Sequence, residues 1–541
     1  MRLLIADRFI KRRGSKKEKF CRNKFFIHSS IVSMQKNFEN IVIEKIITGG
    51  VGLATLWDGK KILLKGDVVP GMTVNCYVKK KKKDYIEWGI SSIISYPANI
   101  QPIKPICSHC VDPISPSAQP AHKVWCGGCK WQSISYENQL LIKEKMIEDS
   151  WRGVDQFSDA RKWEVSGTSQ PLHYRNKIEF SFWKYLIFWE NQEFHERNIW
   201  FHKKGEFSKV LDVDQCFLVS EPMHQIFSYL KQKTKESNLP VYYQKTHRGF
   251  FRHLVLRQWV NTKQLMVNLV VADKFFTMSP EARDQRDSFK NELIQDKFLS
   301  ENCTTFVVTY NNGLADIVQG QDTRQEILRW DGYIFEELHY HKFGALPEDG
   351  SEKTTARFRV SPFSFFQVNT LWAQQLFSRA MEFVGNVDGM VLDLYCWAGT
   401  IWLSLLANGI WDELIGVEIG EDAIVDAQYN AKINNLTNRS YFRAWKAEKI
   451  IFEDTHIQSR LPDMKLIVID PPRDGLHKSV VDFLIQLKQN YAFKLLYISC
   501  NPQTMARDCD LLIKWGFKLK TLEAVDMFPQ THHVESLWLL Y

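Results

Sequence analysis

The stretch "LLYISCNPQTMARD" (495–508) ends an apolar β-type run on Cys500, with Asn501 and Pro502 breaking the chain behind it. A cysteine inside such a run is a small hydrophobe. At the tip of a strand it is a candidate nucleophile, because the strand holds a thiolate rigidly in reach of a substrate. A second apolar run ends "LIVIDPPRDGL" (466–476), where paired prolines stiffen the chain and fix Asp470 and Arg473 at the strand's end. A third, "VLDLYCWAGTIWLSLLA" (391–407), reads as strand, tight turn and helix around Gly399. In "GVE", Glu418 follows about 20 residues beyond that turn, where a carboxylate can take a ribose hydroxyl pair. Acid, glycine turn and thiol together describe a nucleoside-type cofactor beside a covalent nucleophile. Separately, Cys107-x2-Cys110-x15-Cys126-x2-Cys129 has the spacing of a zinc ribbon.

These residues need a scaffold that brings strand ends together. From residue 366 onward the runs "VLDLYCW", "LIGVEIG", "LIVIDPP" and "KLLYISC" alternate with longer helical patterns, which predicts a parallel, doubly wound α/β sheet with ligands at its carboxyl edge. Residues 96–365 mix a cysteine-rich entry with strands such as "NKIEFSFW", "HLVLRQW", "QLMVNLVVA" and "TTFVVTY", predicting an α+β domain with a substantial antiparallel sheet. Residues 37–95 carry short β-type runs punctuated by "GG", "DGK", "KGD" and "PG", as in a small barrel. The lysine run Lys79–Lys83 within them is a solvated hairpin or a phosphate contact.

The net charge of +8 is concentrated: residues 1–33 hold ten Lys/Arg against Asp7 and Glu18. Residues 1–36 are therefore a basic extension, read as a disordered arm, and the rest is close to neutral. No apolar run approaches the ~18 residues of a membrane span, and no signal-type apolar segment opens the chain. A cytoplasmic monomer without a membrane partner is expected, and eleven cysteines in so long a chain make no disulfide framework.

"DLYCxAGT", "GVE", "DPPRDGL", "YISCNPQTMARD" and "MFPQTHHVESLWLL" stand here in the order found in the RNA uridine C5-methyltransferase family, which the chain resembles from about residue 37 onward. "SFFQVN" (364–369) is similar to that family's entry into its catalytic domain, and residues 37–95 resemble an OB-like TRAM module. The resemblance implies a class I Rossmann-like methyltransferase domain using S-adenosyl-L-methionine, with Gln367, Tyr395, Glu418 and Asp470 at cofactor positions. It implies Cys500 as nucleophile and Glu535 as base, although Glu535 alone would read as a surface or capping carboxylate. "CGGCKWQ" and "LDVDQC" look like the family's 4Fe-4S site, which implies Cys126, Cys129 and Cys216 as ligands. Cys107, with Cys110 as alternate, is the first, and zinc remains the alternative metal. TRAM module plus cluster resembles the branch acting on 23S rRNA more than the tRNA branch; a non-catalytic RNA-binding or assembly factor with a decayed cofactor site is the third reading.

Trp397 departs from the family pattern, which has glycine there, and Trp402 and Trp445 depart similarly, with Trp200 and Trp259 as weaker cases. An indole at 397 intrudes on the cofactor pocket, and one at 402 on helix-sheet packing. The chain has 18 Trp and only 27 Gly in 541 residues, below the usual ~7% glycine. A codon read as Trp but decoded as Gly in the source would move both counts in these directions; peptide sequencing across 391–407 tests this.

Overall fold

A computed structural model describes residues 37–541 except 48, 82–85, 115–124, 155–163, 190, 191, 201, 204, 205, 212, 238, 275–278, 321, 322, 342–352 and 410. The basic extension 1–36, Lys82 and Lys83, and most of the segment between the two cysteine pairs lie outside the described residues.

The described residues of 37–95 form a curled six-stranded sheet with the spatial order Asn37–Val42, Thr73–Lys81, Ile86–Ser95, Lys61–Lys65, Val51–Thr55, Lys45–Ile47. Alternate residues of Val51–Thr55 and Lys61–Lys65 are buried, as a strand with one core face requires. The core of this half-barrel is completed by Trp131, Ile134, Ile142 and Met146, so the segment after the cysteines seals it.

A second six-stranded sheet runs Thr323–Arg329, Thr305–Asn311, Leu265–Val271, Phe251–Gln258, Lys177–Trp189, Gln192–Trp200. All but one of its pairs are antiparallel. The exception is Leu265–Val271 beside Thr305–Asn311, which are parallel. Helices Pro280–Gln295 and Lys297–Asn302 lie between them in sequence, the crossover that parallel neighbours need.

The third sheet has eight strands: Ser440–Ala444, Trp411–Glu418, Val387–Leu394, Met464–Ile469, Lys494–Ser499, Glu535–Leu540, Leu519–Val525 and Val165–Ser166. The first five are mutually parallel, as the strand-helix alternation predicts. Period-2 geometry sends Val391, Leu414, Leu466, Val468 and Leu496 to one apolar layer. Leu392, Ile415, Ile467, Ile469 and Leu495 go to the other. Both faces are covered, which explains why these strands read as continuous apolar runs.

Parts of the 96–365 stretch pack onto this sheet. The hairpin Ile334–His341/Lys353–Val360 contributes Leu338, Tyr340 and Phe358 to one layer. Helix Tyr136–Trp151 contributes Ile147 and Trp151 to the other, Trp151 stacking on Trp538 of the strand Glu535–Leu540. Among the described residues no helix is long and apolar enough to cross a membrane.

Candidate active site

Three adjacent strands place the reactive groups. Met464–Ile469 and Lys494–Ser499 run parallel and deliver Asp470 and Cys500 at their carboxyl ends. Glu535–Leu540 runs antiparallel to Lys494–Ser499, with Ser536 opposite Ser499. Its first residue therefore lies where its neighbours end, which brings Glu535 to Cys500. Asn501 fixes the turn: its side chain accepts from Gln503 N (3.2 Å), capping helix Pro502–Lys514, and donates to Arg473 O (2.9 Å). One residue thus ties the thiol's turn to the Asp470–Arg473 loop.

The four groups feel one another. Burial, reinforced by Glu535 and Asp470, pushes the Cys500 thiol up to about 12, opposed by the Arg473 guanidinium, which also hydrogen-bonds the thiol. Burial and Asp470 push Glu535 up to about 8, again opposed by Arg473. Burial alone raises Asp470 to about 7. Around neutral pH the site therefore holds a protonated thiol, two carboxyls near their titration points and the Arg473 cation to favour the thiolate. His532 and His533, passed over in the sequence, lie beside it; burial, with the neighbouring cations, lowers them to about 2 and about 3, so both are neutral.

The residues expected at cofactor positions lie after neighbouring strands of the same sheet or in the loop before helix Thr370–Val384. After Val387–Leu394 the chain turns through Tyr395 (φ +95°), Trp397 (φ +50°) and Gly399 (φ +70°) into helix Thr400–Ala407. Tyr395 and Cys396 donate their N–H groups to Val417 O, tying this turn to the next strand. At φ +70° any side chain at Gly399 would be strained, and its Cβ would press on Leu403 Cδ1 (3.0 Å) and Ala427 Cβ (3.3 Å), so glycine is favoured there. Glu418 ends the next strand, its carboxylate accepting from Gly420 N at 3.0 Å. Asp393, buried between Glu418 and Asp470, is held well above the usual carboxylate range by burial and by those two acids. Gln367 is buried in the loop before helix Thr370–Val384, its backbone oxygen accepting from Asn176 Nδ2 at 2.8 Å.

The tryptophans differ in how they are housed. Trp397 stacks on Phe365 (centroids 4.5 Å), with its indole nitrogen buried and lacking an acceptor. Trp402 is buried against Trp411 (5.5 Å) with its N–H toward Asp393. Trp445 is partly exposed and donates to Glu453 at 2.9 Å. Trp259 is buried against Phe366. The side chain of Trp200 lies outside the described residues.

Away from this edge, Cys107, Cys110, Cys126, Cys129 and Cys216 all line one cavity of about 1460 Å³, together with Lys65, Lys130, Arg175 and Lys177. Cys110 makes side-chain hydrogen bonds with Cys107 and Cys129, and Cys129 Sγ also accepts from Gln132 Nε2 at 3.3 Å. Burial, with the neighbouring cysteines adding to it, raises Cys126 to about 12 and Cys216 to about 11. The described cysteines are all free. Among the described residues no three His, Cys, Asp or Glu are drawn about one metal-sized point; the thiols are hydrogen-bonded to each other instead.

Residues 351–541 match the family described as tRNA (Uracil-5-)-methyltransferase. An uncharacterized RNA methyltransferase of Chlorobaculum tepidum is 31% identical over 89% of this chain and 91% of its own length. One of Clostridium acetobutylicum is 30% identical over 94% and 98%. In fold, the chain is similar to the Pyrococcus abyssi tRNA (uracil-54, C5)-methyltransferase crystallised with S-adenosyl-L-homocysteine, at TM-score 0.61, 22% identity, 92% of this chain and 99% of that one. With a Rossmann-like sheet whose edge gathers a thiol, a raised carboxyl and a glycine turn, the chain belongs to the RNA (uracil-C5)-methyltransferase family and is an RNA methyltransferase.

Proposed function

We propose that the protein transfers a methyl group from S-adenosyl-L-methionine to C5 of a specific uridine in structured RNA, 23S rRNA being the substrate, through a covalent adduct between Cys500 and C6. The observation that carries this reading is the meeting of Cys500, Glu535, Asp470 and Arg473 at adjacent strand ends. Uracil C5 is too poor a nucleophile to take a methyl group directly. Addition of Cys500 Sγ at C6, favoured by Arg473, makes C5 enolate-like and able to accept the methyl. Glu535 then removes the C5 proton, the C6–S bond breaks, the C5=C6 double bond returns and Cys500 leaves as thiolate. Because C6 is hidden in a stack, the target base is flipped out or unpaired.

When bound, S-adenosylmethionine supplies the electrophilic methyl group. Gln367, Tyr395, Glu418 and Asp470 are the residues to hold it. One observation fits: the buried Asp393, near the end of the strand that leads into the Gly399 turn, has neither carboxylate oxygen in a full hydrogen bond. Trp397 is the one residue that fits poorly.

The gathered thiols suit a 4Fe-4S cluster better than a disulfide, with Cys107, Cys126, Cys129 and Cys216 as ligands. Cys107 is preferred to Cys110 because "CSH" (107–109) resembles the start of the family's cysteine motif. Protein purified without air is expected to carry roughly four iron and four sulfide per chain, and Cys126→Ser to lose both; zinc with no sulfide overturns the assignment.

The rRNA reading rests on the pairing of a small barrel with a cysteine motif, in a monomer acting in the cytoplasm. The family's description and the archaeal neighbour favour tRNA instead. Mapping 5-methyluridine in RNA from cells with and without the gene separates them. A site lost from 23S rRNA supports the proposal and one lost from tRNA changes the substrate. Loss of none favours the non-catalytic factor.

A further inference from the structure

Glu535 is reached through the irregular segment 526–534, and several of the bonds that hold that segment come from residues 130–143, nearly 400 residues away. Lys143 Nζ donates to Asp526 Oδ1 at 2.6 Å and to Phe528 O at 3.2 Å, and neither side chain of the Lys143–Asp526 pair has any exposure. Gln139, one helical turn earlier, makes a two-way clamp: its Oε1 accepts from Gln530 N (2.9 Å) and its Nε2 donates to Gln530 Oε1 (3.0 Å). The Gln530 carbonyl accepts from the backbone N–H groups of Lys130 (2.9 Å) and Trp131 (3.2 Å). Tyr174 Oη donates to Pro529 O at 3.1 Å, and Asn369 Nδ2 to Met527 O at 3.2 Å.

Two physical features set this apart from ordinary packing. Gln530 has φ +69°, a left-handed conformation that is strained for a non-glycine residue and persists only where surroundings over-determine it. A fully buried ion pair contributes little net stability, because desolvation offsets the attraction, so its role here is to fix position. Both devices act on the segment that ends one residue before Glu535.

We infer that Gln139 and Lys143 are positioning residues for Glu535: from helix Tyr136–Trp151 they hold the 526–534 segment so that the carboxylate meets the C5 proton of the adduct. The inference rests on the proposed roles of Cys500 and Glu535. Loosening the clamp therefore slows proton removal and release of Cys500, while addition at C6 and methyl transfer proceed. The raised acidity constant of Glu535 follows from its burial, so a displaced carboxylate also moves the acid limb of the pH-rate profile to lower pH.

The test compares Gln139→Ala and the double variant Lys143→Met/Asp526→Leu, which removes the ion pair without leaving a lone buried charge, with Glu535→Gln and wild type. Each is assayed on methyl-labelled RNA for kcat, KM for S-adenosylmethionine and the denaturant-stable, methylated protein-RNA adduct. The expected result is a kcat lowered ~10- to 100-fold, unchanged KM, and adduct accumulating in both clamp variants as in Glu535→Gln, with melting of the double variant near wild type. Unchanged kcat, or lowered kcat without adduct in the double variant, overturns the inference while leaving Glu535 as base. Absence of adduct in Glu535→Gln itself removes the base assignment and the inference together.

Discussion

Cys500→Ala is expected to abolish methyl transfer and every covalent protein-RNA species, a loss on the order of 10⁴ or more, while Glu535→Gln traps the methylated adduct. On the proposed mechanism the two substitutions fall on opposite sides of one covalent intermediate. On that mechanism C5 does not become nucleophilic without the thiol, and the neighbouring Asp470 and Glu535, carboxyls raised to about 7 and about 8, cannot take its place. Without the carboxylate, addition and methylation still occur, but the C5 proton has no acceptor and elimination stalls; loss of a positioned base costs ~10²- to 10⁴-fold. The pH dependence follows from the same group. Glu535 must be ionised to accept the proton, and its value is raised, so turnover climbs as pH rises toward about 8; Glu535→Gln removes that limb. Single-turnover transfer of labelled methyl, read on denaturing gels, separates the steps. A Cys500→Ala enzyme with wild-type rate would eliminate the nucleophile, and Glu535→Gln turning over without adduct would eliminate the base.

The doubly wound sheet was legible because both its faces are buried, so Val387–Leu394, Trp411–Glu418, Met464–Ile469 and Lys494–Ser499 read as apolar runs whose ends carry polar residues. Strand order was not legible. Glu535 becomes a candidate base only because its strand inserts antiparallel beside Lys494–Ser499, and nothing local in "HHVESLWLL" encodes that neighbour. The parallel pair within the central sheet was missed for the same reason: "QLMVNLVVA" and "TTFVVTY" read equally well in either direction. Gln139 and Lys143 lie four apart on the face of their helix that also buries Ile142, Met146 and Ile147. A polar pair at that spacing reads as the wet edge of an amphipathic helix; its partners lie 391 and 383 residues away. Four cysteines were legible as a metal-type spacing; the fifth, Cys216, lies beyond the first strands of the central sheet in sequence, was indicated by the resemblance alone, and lines the same cavity as the others.

Trp397→Gly is expected to tighten S-adenosylmethionine binding at least ~tenfold and to raise the melting temperature. Three costs converge on this side chain. Its backbone is left-handed at φ +50°, a conformation that penalises any residue with a Cβ by about 1–2 kcal/mol and a bulky one most. Its indole nitrogen is buried without an acceptor, which costs about 1–3 kcal/mol more. Its ring lies against Phe365, in the loop that carries Gln367, and its backbone belongs to the turn that carries Tyr395, two of the residues proposed to hold the cofactor. Trp402 differs, since it packs against Trp411 in a filled layer, and Trp402→Gly alone is expected to leave a cavity and destabilise. Trp330 repeats the first anomaly at φ +54°, ahead of Asp331 and Gly332 in a turn where glycine would be unstrained. Calorimetric titration of the cofactor against Trp397→Gly and the parent chain measures the first effect, and peptide sequencing across 391–407 asks whether the source places glycine there already. Equal affinity in the two chains would mean that the indole is accommodated and that the cofactor does not press on this turn.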